Sequence, residues 1–149
     1  MTRSIALASL LLLLSGFSYG QQKTVVNDAN GARLLLGDHS LSLQWVSWDH
    51  PGKATIKNKA GVYSLLGSQK SRSNTDFVIV DGTISSVNAK EFTFVGEIIT
   101  QVSHINGRKP CKRSGEFIFR ITGKRKYWRM QQIDNPCEAV ADYVDLYLR

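Results

Sequence analysis

Between Arg108 and Arg129 the chain carries nine Lys or Arg residues against one acid, Glu116. Cations at this density, interleaved with aromatics, suit a polyanion: an acidic polysaccharide, a lipid head-group surface or a nucleic acid. Arg120, Lys124, Arg125, Lys126, Tyr127 and Arg129 are the candidate ligand-binding residues, running from one strand over a hairpin tip into the next. A competing reading needs no ligand. In it Arg120 stacks on Tyr127, Arg129 pairs with Asp145 or Glu116, and the stretch is a solvated sheet face, as surface charge runs usually are. The whole chain has a net charge of +7; the stretch alone carries +8, and the remainder from residue 21 onward carries −2. That asymmetry favours keeping a binding role in view.

Other chemistry is thinly supported. The three histidines are His39, His50 and His104. His39 lies in Gly37-Asp38-His39-Ser40 and His50 in Asp49-His50-Pro51-Gly52, both turn contexts, while His104 precedes Asn106-Gly107. Histidine titrates near neutral pH and so suits proton transfer, but no H-x-H or H-E-x-x-H spacing is present, and no metal or cofactor is assigned. Nucleophile elbow, P-loop and dinucleotide fingerprints are absent from the sequence. Asp142 and Asp145, three apart on an expected strand, fall on opposite faces; Glu97 and Glu116 form a carboxylate pair only if their strands bring them together. No catalytic residue is assigned.

Cys111 and Cys137 are the only cysteines. In an oxidising compartment they are expected to form a disulfide, which stabilises a loop of this size by roughly 3–4 kcal/mol in the chain-entropy model.

The compartment is read from the first twenty residues. Arg3, the apolar run Ile5 to Leu14 and the small residues of Ser18-Tyr19-Gly20 have the order of a signal peptide. The apolar run is shorter than the roughly 20 residues that span a bilayer. The expected organisation is therefore a leader over residues 1–20, a lead-in segment over 21–40 and one β-domain over 41–149. The mature protein is expected to be periplasmic or secreted, without a transmembrane segment.

From Leu41 onward apolar residues recur with period two, broken by turn signals. Expected strands are Leu41–Trp48, Lys53–Lys57, Val62–Ser68, Thr75–Val80, Glu91–Ser103, the two around Gly123-Lys124, and Tyr143–Leu148. Asn58 to Gly61 reads as a short hairpin loop, Gly67 to Asn74 as a polar loop, Asp81-Gly82 as a two-residue hairpin turn, and Asn88-Ala89 as another turn. A loop at Gly123-Lys124 places Phe119 opposite Trp128 and Phe117 opposite Met130, with the large apolar side chains on one face. Asn135-Pro136-Cys137-Glu138 has the order of a helix N-terminus. Eight or nine strands joined mostly by hairpins describe an all-β meander, closing as a small barrel or, alternatively, a two-sheet sandwich. Closure requires the last strand to pair with an early one, for which Leu41 to Trp48 is the candidate.

The segments GEFIFRITGKRKYWRMQ, NPCEAV and DYVDLYLR resemble an uncharacterised family of exported bacterial proteins. The resemblance implies a periplasmic setting and brings no activity, ligand or site residue. The leading expectation is a non-enzymatic barrel that binds an anionic or amphiphilic ligand. The ligand would lie on the basic face or in a barrel mouth lined by Trp45, Phe92, Phe94, Phe117, Phe119 and Trp128, unless these aromatics simply fill the core. A protein-interaction module or inhibitor of the cell envelope, and a hydrolase with an unrecognised site, are the alternatives.

Overall fold

The computed structural model describes residues 20–149; the expected leader lies outside the described residues except for Gly20. The elements are β1 (Val25–Val26), α1 (Ala29–Leu35), β2 (Gly37–Leu43), β3 (Gly52–Lys59), β4 (Val62–Lys70), β5 (Phe77–Val87), β6 (Glu91–Gln101), β7 (Cys111–Arg120), β8 (Tyr127–Met130) and β9 (Val144–Tyr147). From β2 to β9 each strand pairs antiparallel with the next, and β9 returns to β2 with Leu41 opposite Leu146 and Leu43 opposite Val144. The sheet is thus an eight-stranded up-and-down barrel, with β1 added in parallel to the end of β5. The closing pairing is the one the sequence called for.

Alternation of side chains fills the interior. In β4 Tyr63, Leu65 and Gln69 are buried while Ser64, Leu66 and Lys70 face out. Phe92, Phe94, Phe119 and Trp128 are fully buried, Phe92 stacking on Phe119 at 5.0 Å and meeting Trp128 edge-on at 5.8 Å. The barrel centre is therefore a packed core, as in other small barrels.

Several local expectations are corrected. Asp81-Gly82 is not a turn: β5 runs straight through it, and the hairpin to β6 closes at Asn88, whose N–H donates to the Glu91 carbonyl at 2.8 Å. Gly82 lies opposite Gly96, and a Cβ on Gly82 would sit 2.3 Å from the Val95 oxygen and 2.8 Å from the Phe94 ring. The Asp-Gly pair is used for close approach, not reversal. Likewise β4 continues to Lys70 through the expected Gly67–Asn74 loop, because Gly67 lets Ala54 and Leu41 pack against its backbone. The Asn58–Gly61 hairpin forms as expected, with Ala60 (φ 52°) and Gly61 (φ 84°) in the left-handed region.

The barrel begins at Gly37, ahead of the boundary expected at Leu41, and the first strand ends at Leu43 instead of Trp48. Gln69 explains that end. Its Oε1 accepts from the Leu43 N–H at 2.7 Å, and its Nε2 donates to the Ser47 and His50 carbonyls, holding residues 44–50 as a loop. The segment 21–40 supplies the one α-helix among the described residues. Asp28 caps it, accepting from the Gly31 N–H at 2.6 Å, and Ala32 and Leu35 are buried. Gly31 packs on the β5–β6 turn so closely that a Cβ would lie 2.1 Å from the Asn88 oxygen. The helix expected at Pro136 is a bend. Asn135 Oδ1 does accept from the N–H groups of Cys137 and Glu138, but the Cys111–Cys137 disulfide and the Asp134–Ala141 bridge turn the chain back before a helical turn can form.

Replacing Gly82 with Ala is expected to lower stability by about 1–3 kcal/mol, the range for overpacking a filled core, read as the denaturant midpoint. Replacing Gly107, where a Cβ would meet nothing within 4 Å, tests backbone strain alone.

Candidate functional site: a cationic rim at the helix-capped end

A meander places alternate connections at opposite ends of the barrel. Helix α1 and the β3–β4, β5–β6 and β7–β8 turns share one end; the disulfide and the loops 44–51, 71–76, 102–110 and 131–143 share the other. The basic stretch is divided between these ends and the wall that joins them, as strand direction implies.

At the disulfide end Lys112 pairs with Glu97 at 2.6 Å. Arg113 is buried; its Nη2 donates to the Gln132 and Asp134 carbonyls, and its Nη1 lies 3.5 Å from Asp142 Oδ2. Asp142, also buried, accepts from Trp45 Nε1 at 3.1 Å and Asn135 Nδ2 at 3.0 Å. Burial pushes the Asp142 carboxyl above its ordinary value, opposed by Arg113, and burial pulls the Arg113 guanidinium down. This cluster locks the 131–143 loop onto β7 and is structural. Arg108 and Lys109 stay exposed beside it.

On the wall, Arg120 pairs with Glu91 at 2.7 Å, not with Tyr127. Arg129 donates through Nε and Nη2 to both oxygens of Asp145, each at 2.7 Å, and Asp145 is wholly buried. These hydrogen bonds hold the Arg129 guanidinium above its ordinary value. The same guanidinium lies 4.3 Å from the Tyr143 ring centre and 5.1 Å from that of Tyr127. Of the six candidate residues, then, Arg120 and Arg129 are engaged with carboxylates and Tyr127 is half-buried beside Arg129.

Lys124, Arg125 and Lys126 remain exposed at the tip, and no ion pair reaches them among the described residues. The expected Gly123-Lys124 turn is present, with Arg125 N–H donating to the Thr122 carbonyl at 3.3 Å and Gly123 at φ 59°. Beyond it the strands part: Ile121 N–H donates to Lys90 and Leu148 N–H donates to Lys126, drawing each side toward another neighbour. Pairing resumes with Phe119 opposite Met130, displaced by two residues from the expected register. A shift of two keeps every face, so Phe117, Phe119, Trp128 and Met130 are buried as anticipated.

Those two divergent bonds, with a third, build the site. Lys90 lies against one side of the tip and the C-terminal Leu148-Arg149 against the other, and Arg149 Nη2 donates to the Arg33 carbonyl of α1 at 3.4 Å. Lys90, Lys124, Arg125, Lys126, Arg149 and Arg33 are all exposed and form one arc around the helix-capped end. Arg33, Lys90 and Arg149 had no local signal; the β6–β7 and β8–β9 ladders bring Lys90 and Arg149 to the tip, and the β2–β9 closure brings Arg33 alongside Arg149. A groove of about 480 Å³, lined by Asp38, Ser40, Lys53, Thr55 and Arg149, adjoins the arc.

The histidines are divided between the two ends of the barrel. His50 and His104 are exposed at the disulfide end, with His104 edge-on to Trp45 at 5.5 Å, while His39 is buried beneath α1. Glu97 faces Ser114 and Glu116 faces Val95. Among the described residues no group of three His, Cys, Asp or Glu could hold a metal ion, and no helix is long and apolar enough to cross a membrane. Of the two readings of the aromatics, a ligand-lined mouth or a filled core, the filled core holds. Phe92, Phe94, Phe117, Phe119 and Trp128 are core, and the half-buried Trp45 belongs to the Asp142 cluster.

Replacing Arg129 with Ala leaves Asp145 buried and unpaired, and is expected to cost about 3–5 kcal/mol. Replacing Arg120 with Ala is expected to cost less than about 1 kcal/mol. Equilibrium denaturation of the two variants checks the contrast.

Comparison with known proteins places this architecture in a group. A family model described as the PM1083 family matches residues 23–148. "Uncharacterized protein PM1083" of Pasteurella multocida (strain Pm70) is 40% identical over 143 residues, covering 96% of this chain and 92% of that protein. No solved structure matches.

Proposed function

Because the chain belongs to the PM1083 family, an uncharacterised bacterial family that lends it no function, we propose on geometry alone that it is an exported, non-enzymatic barrel that binds an anionic ligand at the helix-capped rim. The observation that carries this reading is the partition of the cations. Within the basic stretch, the cations on the wall and in the core (Lys112, Arg113, Arg120 and Arg129) are matched by Glu97, Asp142, Glu91 and Asp145, whereas among the described residues no ion pair reaches the exposed arc from Lys90 through the tip to Arg149 and Arg33. Unmatched cations on one rim repel each other, and an anion spanning them relieves that repulsion. The packed interior supports surface binding over an internal pocket. The ligand class is a polymer or head group bearing sulfate, phosphate or carboxylate. Export is supported by the disulfide, which persists in oxidising compartments.

Sulfated dextran and vesicles containing an anionic phospholipid separate a free polyanion from a head-group surface. Affinity for whichever probe binds is expected to fall steeply with added salt. The triple replacement of Lys124, Arg125 and Lys126 by Ser is expected to flatten the salt dependence by about two to three units of slope while leaving the thermal midpoint in place. Unchanged affinity in that variant would refute the site.

A further inference from the structure

We propose that His39 is held as an imidazolium, protonated on both ring nitrogens, and that this proton couples anion binding at the rim to pH. The coupling rests on the anion-binding reading above; the protonation does not.

The ring is only 5% exposed. Its Nδ1 lies 2.8 Å from the Tyr147 carbonyl oxygen and its Nε2 lies 2.7 Å from the Leu35 carbonyl oxygen. Carbonyl oxygens only accept hydrogen bonds, and neutral imidazole has one N–H and one lone pair. Either neutral tautomer therefore sets a lone pair against an oxygen at hydrogen-bond distance, in a site with little access to water. The imidazolium donates to both.

The two carbonyls are not arbitrary. Leu35 is the last residue of α1, so its carbonyl is one of the helix-end acceptors left without an intrahelical partner. Tyr147 is the last residue of β9. His39 thus ties the helix that carries Arg33 to the strand that leads into Arg149, the two cations already joined at 3.4 Å.

Among the described residues the two carbonyls are the ring's hydrogen-bonding partners. From β8 Trp128 meets it edge-on at 5.7 Å. The Tyr147 hydroxyl on β9 is 3.1 Å from Ser42 Oγ, and the neighbouring Asp38 carboxylate on β2 accepts from Thr55 Oγ1 at 2.7 Å. Lys53 of β3 and Arg149 line the groove that reaches His39. Among the described residues no carboxylate bonds the ring. An anion seated on Arg149 would supply negative charge beside the imidazolium and stabilise its proton; by linkage, the proton stabilises the anion equally.

Two measurements on the full chain test this. Ring-nitrogen NMR of His39 is expected to report both nitrogens protonated at about pH 6, within the range where histidine titrates. Binding of sulfated dextran, whose charge is constant over that range, is expected to strengthen about fivefold from about pH 8 to pH 6 at fixed ionic strength. His39→Gln is expected to lose this dependence, while His50→Gln and His104→Gln keep it. A single neutral tautomer at about pH 6 overturns the proposal whatever the rim does. A protonated ring with pH-independent binding overturns the coupling alone. A protonated ring with no binding at any pH removes the anion-binding reading and, with it, the coupling.

Discussion

Everything in this structure depends on one seam, the pairing of β9 with β2 that closes the sheet. Without it an eight-stranded meander has two open edges and an interior face with nothing opposite. With it Leu41, Leu43, Val144 and Leu146 join the aromatic centre and the backbone groups of both edges are satisfied. The seam is short, because β9 spans only Val144–Tyr147. It is also unusual in burying a charge: Asp145 lies between Ser42 on β2 and Arg129 on β8. A one-residue slip of β9 would carry Asp145 away from the Arg129 fork and turn Val144 and Leu146 out of the core. The ion pair adds little to net stability over an apolar pair of the same volume. Its geometry penalises the wrong register, which a four-residue strand of alternating apolar residues otherwise resists weakly.

The two ends of the barrel are sealed by different means. At one end the disulfide and the buried Arg113–Asp142 pair hold the 131–143 loop across β7. At the other, α1 lays Ala32 and Leu35 over the core and is held by the Asp28 cap, the Gly31 contact and His39. The centre is filled by Phe92, Phe94, Phe119 and Trp128. At the helix-capped end the outer surface carries Lys124, Arg125 and Lys126, which no ion pair reaches among the described residues.

Apart from the β2–β9 closure, which the need to hide sheet edges implied, what the sequence made legible was local. The disulfide, the buried face of the β7–β8 hairpin and the Asn58–Gly61 turn each depend on residues close together in the chain or on a forced pairing. Asp81-Gly82 misled because the same dipeptide serves a tight turn and a place where two strands must touch; only the facing Gly96 distinguishes them. Helix α1 was hidden because Asn30-Gly31 has poor helix propensity, although Asp28 before it and Leu34-Leu35-Leu36 at its end were cap and core signals. The Pro136 motif offered better signals and lost to a covalent constraint. Half of the rim was invisible for a different reason. Arg33, Lys90 and Arg149 are far apart in sequence and are brought to the tip by strand pairing, Lys90 through β6–β7, Arg149 through β8–β9 and Arg33 through the closing β2–β9 seam.

The same topology changes what the basic stretch means electrostatically. Along the chain its nine cations look like one patch. In the fold Lys112, Arg113, Arg120 and Arg129 are paired with acids, and those left exposed fall at opposite ends of β7. A ten-residue strand separates those ends by about 30 Å, several times the screening length of about 8 Å at physiological ionic strength. Arg108 and Lys109 therefore cannot reinforce the field at Lys124–Lys126. Lys90, Arg149 and Arg33 can, because hydrogen bonds stitch their segments to the tip or to one another. The relevant charge is set by which segments strand pairing brings side by side, and sequence proximity is a poor guide to it.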